Sequence, residues 1–146
     1  MELLKLSESL NWFGDVIWDK LAPGLGFHIR YSHESIAVFK QGDPPRPKDA
    51  LLSVIRASAP SELHPHEKPV VVMLPIVKWA CPQNGLVLDP FCGAGATGVA
   101  AIKQNRRFIG IELEEKYFDI SCRRVEDELS ARESGSEMMQ SLGLLA

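Results

Sequence analysis

The chain has few cysteines, no long apolar run and no excess of basic charge, and each absence removes a class of protein. Cys81, Cys92 and Cys122 are odd in number, widely spaced and form no C-x-x-C pair. A disulfide scaffold and a cysteine zinc site are thereby excluded, and reduced, buried thiols are expected. No apolar stretch approaches the roughly 20 residues that span a bilayer, and the N-terminus lacks the charged-then-apolar layout of a signal peptide. A cytoplasmic protein is the expectation. The net charge of -3 argues against a broad electrostatic hold on a polyanion. With 146 residues, 45% of them hydrophobic, the chain can bury one core, and a single α/β domain is expected.

What is present is concentrated between Val87 and Glu112. Val87 and Leu88 read as a buried parallel strand, Gly93 and Gly95 as a tight turn that brings backbone close to a ligand, and Ala96 to Gln104 as the following helix. The free N–H groups of the helix N-terminus favour an anionic ligand group. Phe108-Ile109-Gly110-Ile111 reads as the next strand. Glu112 closes it about 20 residues beyond Asp89, where a carboxylate accepts hydrogen bonds from both hydroxyls of a ribose. An adenosine cofactor is implied.

Charge selects among such cofactors. Gly93, Gly95 and Gly98 satisfy G-x-G-x-x-G, a spacing that NAD-binding turns share. Asp89, however, places a carboxylate where a pyrophosphate would be repelled and where the ammonium and sulfonium of S-adenosylmethionine would be attracted. Pro90 also removes an N–H donor from a turn that phosphate would want rich in donors. S-adenosylmethionine is favoured over NAD.

Asp89-Pro90-Phe91-Cys92-Gly93-Ala94-Gly95-Ala96-Thr97 resembles the cofactor motif of the DNA amino-methyltransferases, which methylate adenine at N6 or cytosine at N4. His64-Pro65-His66-Glu67-Lys68-Pro69 is similar to the His-Pro-x-x-Lys-Pro segment that opens the cofactor-binding helix in that family's permuted-order, or beta-type, branch. Val16-Ile17-Trp18-Asp19-Lys20, Gly24, Gly26, Arg30, His33-Glu34 and Val38-Phe39 resemble its late-strand hairpin. The resemblance covers roughly Leu10 to Arg124 and implies a partial Rossmann-like, S-adenosylmethionine-dependent methyltransferase fold. Carried over residue by residue, it implies a cofactor site of Lys68, Pro69, Asp89, Phe91, Gly93, Gly95, Ala96, Thr97 and Glu112. It also implies a partial domain over residues 1–133: a hairpin at 15–39, a short variable connection at 41–63, a cofactor-binding half at 64–133, and then a flexible tail at 134–146.

The rest of the chain is read from its patterning. Glu2 to Phe13 has helical spacing, Asp15 to Trp18 and Ser35 to Phe39 read as strands, and Leu21 to Arg30 and Gln41 to Ala59 as Gly- and Pro-rich connections. Pro69 to Ala80 reads as a helix that Pro75 should bend. Glu114 to Glu133 is amphipathic, with Tyr117, Ile120, Val125 and Leu129 inward. Six basic residues against three acidic ones between Lys20 and Arg56 make a local basic segment, whose Lys20, Arg30, Arg46 and Lys48 are candidate DNA contacts. His64 and His66 read as helix-entry residues rather than a metal pair, and no metal is expected. Trp12 and Trp79 read as core. Trp18, at a strand end beside Asp19 and Lys20, is a candidate for a functional role.

One motif is missing. The family holds its flipped target base with Asp/Asn/Ser-Pro-Pro-Tyr/Phe, and here only Asp43-Pro44-Pro45-Arg46 is comparable. It carries arginine where the stacking ring belongs and falls after the hairpin, so it reads as a proline turn, and no catalytic residue is assigned. The chain thus resembles the C-terminal portion of a DNA methyltransferase without the third, fourth and fifth strands of the family's sheet. The partners implied are DNA and a complementing N-terminal methyltransferase segment or a second copy of the chain. Two other readings suit the same residues: an inactive cofactor-binding or assembly module derived from such an enzyme, and a small-molecule methyltransferase.

Overall fold

A computed structural model of the chain describes residues 10–24, 27–59, 63 and 66–141. The chain divides into two compact units, Met1–Ser58 and Ala59–Ala146.

The first unit is a three-stranded sheet. Strand β1 (Leu10–Asp19) pairs antiparallel with β2 (His33–Gln41), from Leu10 opposite Gln41 to Asp19 opposite His33. The register slips between Trp12 and Gly14, where Phe13 is an extra residue. Period-2 alternation puts Val16 and Trp18 in the core. The helix expected over Glu2 to Phe13 is corrected for its last four residues: Leu10 to Phe13 are extended, and residues 1–9 lie outside the described ones. Ladder bonding to β2 and the pairing of Trp12 with Phe39 outweigh the helical spacing of a few apolar residues. A third strand, β3 (Val54–Arg56), lies within the stretch read as a connection and runs parallel to β1 on the side away from β2. It is three residues long, too short to show a period.

Strand β3 also settles the position of Trp18. The side chain is 1% exposed, and its indole N–H donates to the Ala57 carbonyl at 2.8 Å. Trp18 is therefore a core residue joining β1 to the end of β3, and the functional role considered for it is withdrawn. An indole buried here needs one acceptor, and the backbone supplies it.

The second unit holds α1 (Val70–Ala80), β4 (Leu86–Asp89), α2 (Ala96–Lys103), β5 (Arg107–Gly110) and α3 (Glu115–Ser141). β4 and β5 are parallel, from Leu86 opposite Arg107 to Asp89 opposite Gly110, and α2 is the crossover between them. Val77, Ala100 and Ala101 form the centre of the core, with Val70, Met73, Leu74, Val87 and Phe108 packed around them. Gly98 of α2 permits this closeness: a Cβ there would lie 2.7 Å from the Phe108 ring and 2.9 Å from Val125 of α3.

Helix ends are satisfied by a residue that patterning did not single out. Arg106 Nε and Nη2 donate to the Cys81 carbonyl at 3.0 and 2.8 Å, and Nη2 also reaches Lys78 O at 3.3 Å. A cation thus meets the C-terminal carbonyls of α1, where the helix dipole favours it. Pro75 sits inside α1, which runs unbroken from Val70 to Ala80. α3 continues to Ser141, past the Glu133 end that was expected, so residues 134–141 are helical rather than part of a frayed tail. Its inward side carries Tyr117, Ile120, Ser121 and Val125, whereas Leu129 is exposed, contrary to expectation. On the sheet face away from the core, Leu86, Leu88, Ile109 and Ile111 are 48 to 60% exposed. Among the described residues no helix is long and apolar enough to cross a membrane.

Candidate cofactor site

The site lies at the carboxyl ends of β4 and β5, where a parallel sheet with a crossover helix opens its crevice. The ladder runs a little past the strands. Ile111 N–H donates to Asp89 O and Cys92 N–H to Ile111 O, both at 2.9 Å, which pins the turn to the end of the sheet. Asp89 Oδ1 accepts the Phe91 N–H at 3.1 Å, an Asx turn in which Pro90 pre-sets the backbone. Gly93 (φ +51°) and Gly95 (φ +79°) then adopt left-handed conformations that a side chain would strain. Gly95 N–H closes the turn on Cys92 O at 2.8 Å, and Gly95 is the N-cap of α2.

The two glycines serve different purposes. A Cβ on Gly95 would meet Cα and Cβ of Ser121 at 2.9 Å, so this glycine lets α3 pack against the turn. A Cβ on Gly93 would meet nothing within 4 Å, so this glycine faces open space. Glu112 is anchored to this glycine's backbone: its Oε2 accepts the Gly93 N–H at 2.8 Å while Oε1 accepts the N–H groups of Leu113 and Glu114 at 2.9 and 3.0 Å. Three backbone donors hold the carboxylate in place. Phe91 projects from the turn, 88% exposed. Ala96 is buried in the first turn of α2, and Thr97 beside it is partly exposed.

Pro69 is the N-cap of α1, and its carbonyl accepts the Val72 N–H at 3.0 Å. Lys68 Nζ donates to His66 O at 3.3 Å. His64 and Pro65 lie outside the described residues. Glu67, quoted in this segment without a role, is buried, and its Oε1 lies 2.9 Å from Arg124 Nη1. The same nitrogen donates to Ala94 O at 2.6 Å. Sequence reasoning missed Glu67, Ser121 and Arg124. The available signal was a serine and an arginine three residues apart on the inward side of an amphipathic helix.

Cys92 is buried in the turn with its Sγ 3.7 Å from Ser121 Oγ. Burial pushes its thiol above the ordinary value of 9.0, aided by the negative charges of Asp89 and Glu112 and opposed by the Ser121 hydrogen bond. It is a neutral packing residue at physiological pH, with no chemistry in the site. Among the described residues no group of His, Cys, Asp and Glu is placed to hold a metal ion.

The candidate DNA contacts all fall in the first unit. Lys20 Nζ is 3.4 Å from Glu34 Oε1, and Arg30 Nε donates to Gly24 O at 2.9 Å, so both are engaged within that unit. Arg46 and Lys48 are exposed in the loop after β2. Asp43-Pro44-Pro45-Arg46 lies in the same exposed loop, with Asp43 Oδ1 3.6 Å from Lys40 Nζ.

A parallel β-α-β unit with a left-handed glycine turn and an acidic residue just beyond the second strand is the nucleoside-cofactor arrangement of a Rossmann-like α/β fold. Comparison with solved structures agrees. The crystal structure of the M1.HpyAVI-SAM complex matches with a TM-score of 0.70 and 26% identity, over 82% of this chain and 64% of that one. The cytosine-N4-specific PvuII DNA methyltransferase matches with a TM-score of 0.67 and 15% identity, over 88% of this chain and 60% of that one. Among proteins compared by sequence, the methylase YubD of Escherichia coli (strain K12) is 33% identical over 124 residues, covering 84% of this chain and 55% of its own. The type II methyltransferase M.ScaI of Streptomyces caespitosus is 41% identical over 73 residues, or 50% of this chain and 24% of its own. The model of the DNA methylase family N6_N4_Mtase matches residues 51–123, and the chain belongs to this family. The chain spans about half the length of YubD.

Proposed function

We propose that this chain is the cofactor-binding portion of a site-specific DNA methyltransferase that transfers a methyl group from S-adenosylmethionine to adenine N6 or cytosine N4. The observation that carries the reading is the Glu112 carboxylate anchored on the N–H of Gly93, the glycine whose side-chain position is open. Family membership and the likeness to a SAM complex support it.

The residues present fit that cofactor. Glu112 accepts from the ribose hydroxyls, Asp89 attracts the cationic amino-acid end, and the N-terminus of α2 at Gly95, Ala96 and Thr97 receives its carboxylate. Phe91 supplies an exposed apolar surface beside the base, and Lys68 and Pro69 shape the near wall at the start of α1. When bound, S-adenosylmethionine supplies an electrophilic methyl group on a sulfonium. The chain's part is to hold and orient it.

DNA is the substrate in this reading, contacted by Arg46 and Lys48 with Lys20 and Arg30 as secondary contacts. A complementing methyltransferase segment carrying an Asp-Pro-Pro-Tyr motif, in another polypeptide or elsewhere in a longer one, supplies the base pocket. The exposed row Leu86, Leu88, Ile109 and Ile111 supports such a neighbour, because parallel sheets are ordinarily covered on both faces. In this reading the enzyme works in the cytoplasm. Titration calorimetry tests the cofactor assignment: binding of S-adenosylmethionine or S-adenosylhomocysteine with none of NAD is expected. Equal binding of NAD and S-adenosylmethionine would overturn it.

A further inference from the structure

We infer that Arg124 is a positioning residue for the amino-acid end of the cofactor, an inference that rests on the pocket reading above. Its Nη1 donates both to Glu67 Oε1 at 2.9 Å and to Ala94 O at 2.6 Å. One nitrogen thereby ties the Glu67-Lys68-Pro69 segment at the start of α1 to the Cys92–Gly95 turn. The turn is the wall assigned to the amino-acid end and the other segment is the near wall at the start of α1; neither is the Glu112 corner assigned to the ribose.

The tie is built into the core rather than laid on the surface. The Glu67 side chain is 5% exposed and that of Arg124 is 23% exposed, so solvent screens the pair little. Removing either partner would leave a buried charge without its counterpart, which the structure can relieve only by moving a wall. Two neighbours on the same face of α3 reinforce the geometry. Ser121 lies beneath Gly95 and beside Cys92, and Val125 lies against Gly98. α3 thus backs the turn with Ser121 and α2 with Val125, and Arg124 is the one that reaches the segment leading into α1. α3 sets the width of the slot in which the ligand's carboxylate and ammonium sit, so affinity depends on a geometry fixed before binding.

The test compares S-adenosylhomocysteine with adenosine, which lacks the amino-acid end, by calorimetry on the full chain. In Arg124→Ala, affinity for S-adenosylhomocysteine should fall about tenfold or more, and affinity for adenosine less than about threefold. Glu67→Gln, which keeps an acceptor oxygen for Arg124, should bind S-adenosylhomocysteine within about threefold of wild type, whereas Glu67→Ala should reproduce the selective loss. Arg124→Lys is one bond shorter and cannot hold both partners as the guanidinium does. It should show the same selectivity and serves if Arg124→Ala does not fold. Unchanged affinity in Arg124→Ala, or equal losses for both ligands, would overturn the positioning role. Failure of the wild type to bind S-adenosylhomocysteine would instead overturn the pocket reading, and the positioning role with it.

Discussion

Gly93 and Glu112, 19 residues apart in the chain, are joined by a hydrogen bond of 2.8 Å from the glycine N–H to the carboxylate Oε2. The bond crosses the mouth of the turn. It couples the residue whose missing side chain leaves room for a ligand to the residue whose charge would receive that ligand.

Replacing Glu112 by alanine removes the acceptor for three backbone N–H groups together with the proposed ribose partner. Affinity for S-adenosylhomocysteine should fall by about 1–3 kcal/mol, as for lost charge-assisted hydrogen bonds. Calorimetry on Glu112→Ala and Glu112→Gln checks this, with the amide variant falling between alanine and wild type.

The two glycines of the turn should respond differently to alanine. Gly95→Ala combines a left-handed backbone with contacts of 2.9 Å to Ser121, and should lose about 2–4 kcal/mol of stability in urea unfolding. Gly93→Ala carries only the conformational cost, about 1–2 kcal/mol. Its added methyl enters open space, so its larger effect should be on cofactor affinity.

Trp18→Phe should cost about 1–3 kcal/mol of stability, because the Ala57 carbonyl loses its buried donor and the smaller ring leaves a void. Cofactor affinity per folded molecule should not change. A change in affinity with stability intact would return Trp18 to the list of functional residues.

The thiol of Cys92 is raised above 9.0, so the folded state binds this proton more tightly than the unfolded state does. The stability it contributes is fully present below pH 9 and is lost as the pH rises through the folded-state value. Thermal unfolding across pH 7 to 10.5 should show a decline at the alkaline end that is smaller in Cys92→Ala. Alkylation of Cys92 at pH 7.5 should also be slower than that of a free thiol.

Labelled methyl transfer to duplex DNA should be absent with this chain alone, since no ring-bearing Pro-Pro motif is present to hold an extruded base. A co-expressed segment carrying Asp-Pro-Pro-Tyr should restore transfer and raise the melting temperature. Robust transfer by the chain alone, abolished in Asp43→Ala, would return Asp43-Pro44-Pro45-Arg46 to the catalytic site.

The cofactor half was legible because its signals are local. Two glycines with a proline before them and an acidic residue one crossover later specify a turn whatever surrounds it, and β4, α2 and β5 lie within a residue or so of where patterning put them. What was not legible depends on distant partners. Leu10 to Phe13 has a helical spacing that only pairing with β2 overrides, and β3 is strand solely because β1 lies beside it. Trp18 at a strand end looked like a platform until the Ala57 carbonyl, 39 residues on, was seen to receive its N–H. The pair Glu67–Arg124, 57 residues apart, had no signature in either segment alone.

The run from Leu86 to Glu112 contains the strand, turn, crossover helix and acidic terminus together. Its contacts close short loops, so it can form early and with little entropic cost. Its turn still leans on Ser121 and Arg124 of α3 and its helix on Val77 of α1, so the unit that can be spliced as a whole runs from α1 through α3. Evolution could therefore rearrange the order of segments around this half while leaving the cofactor grip intact.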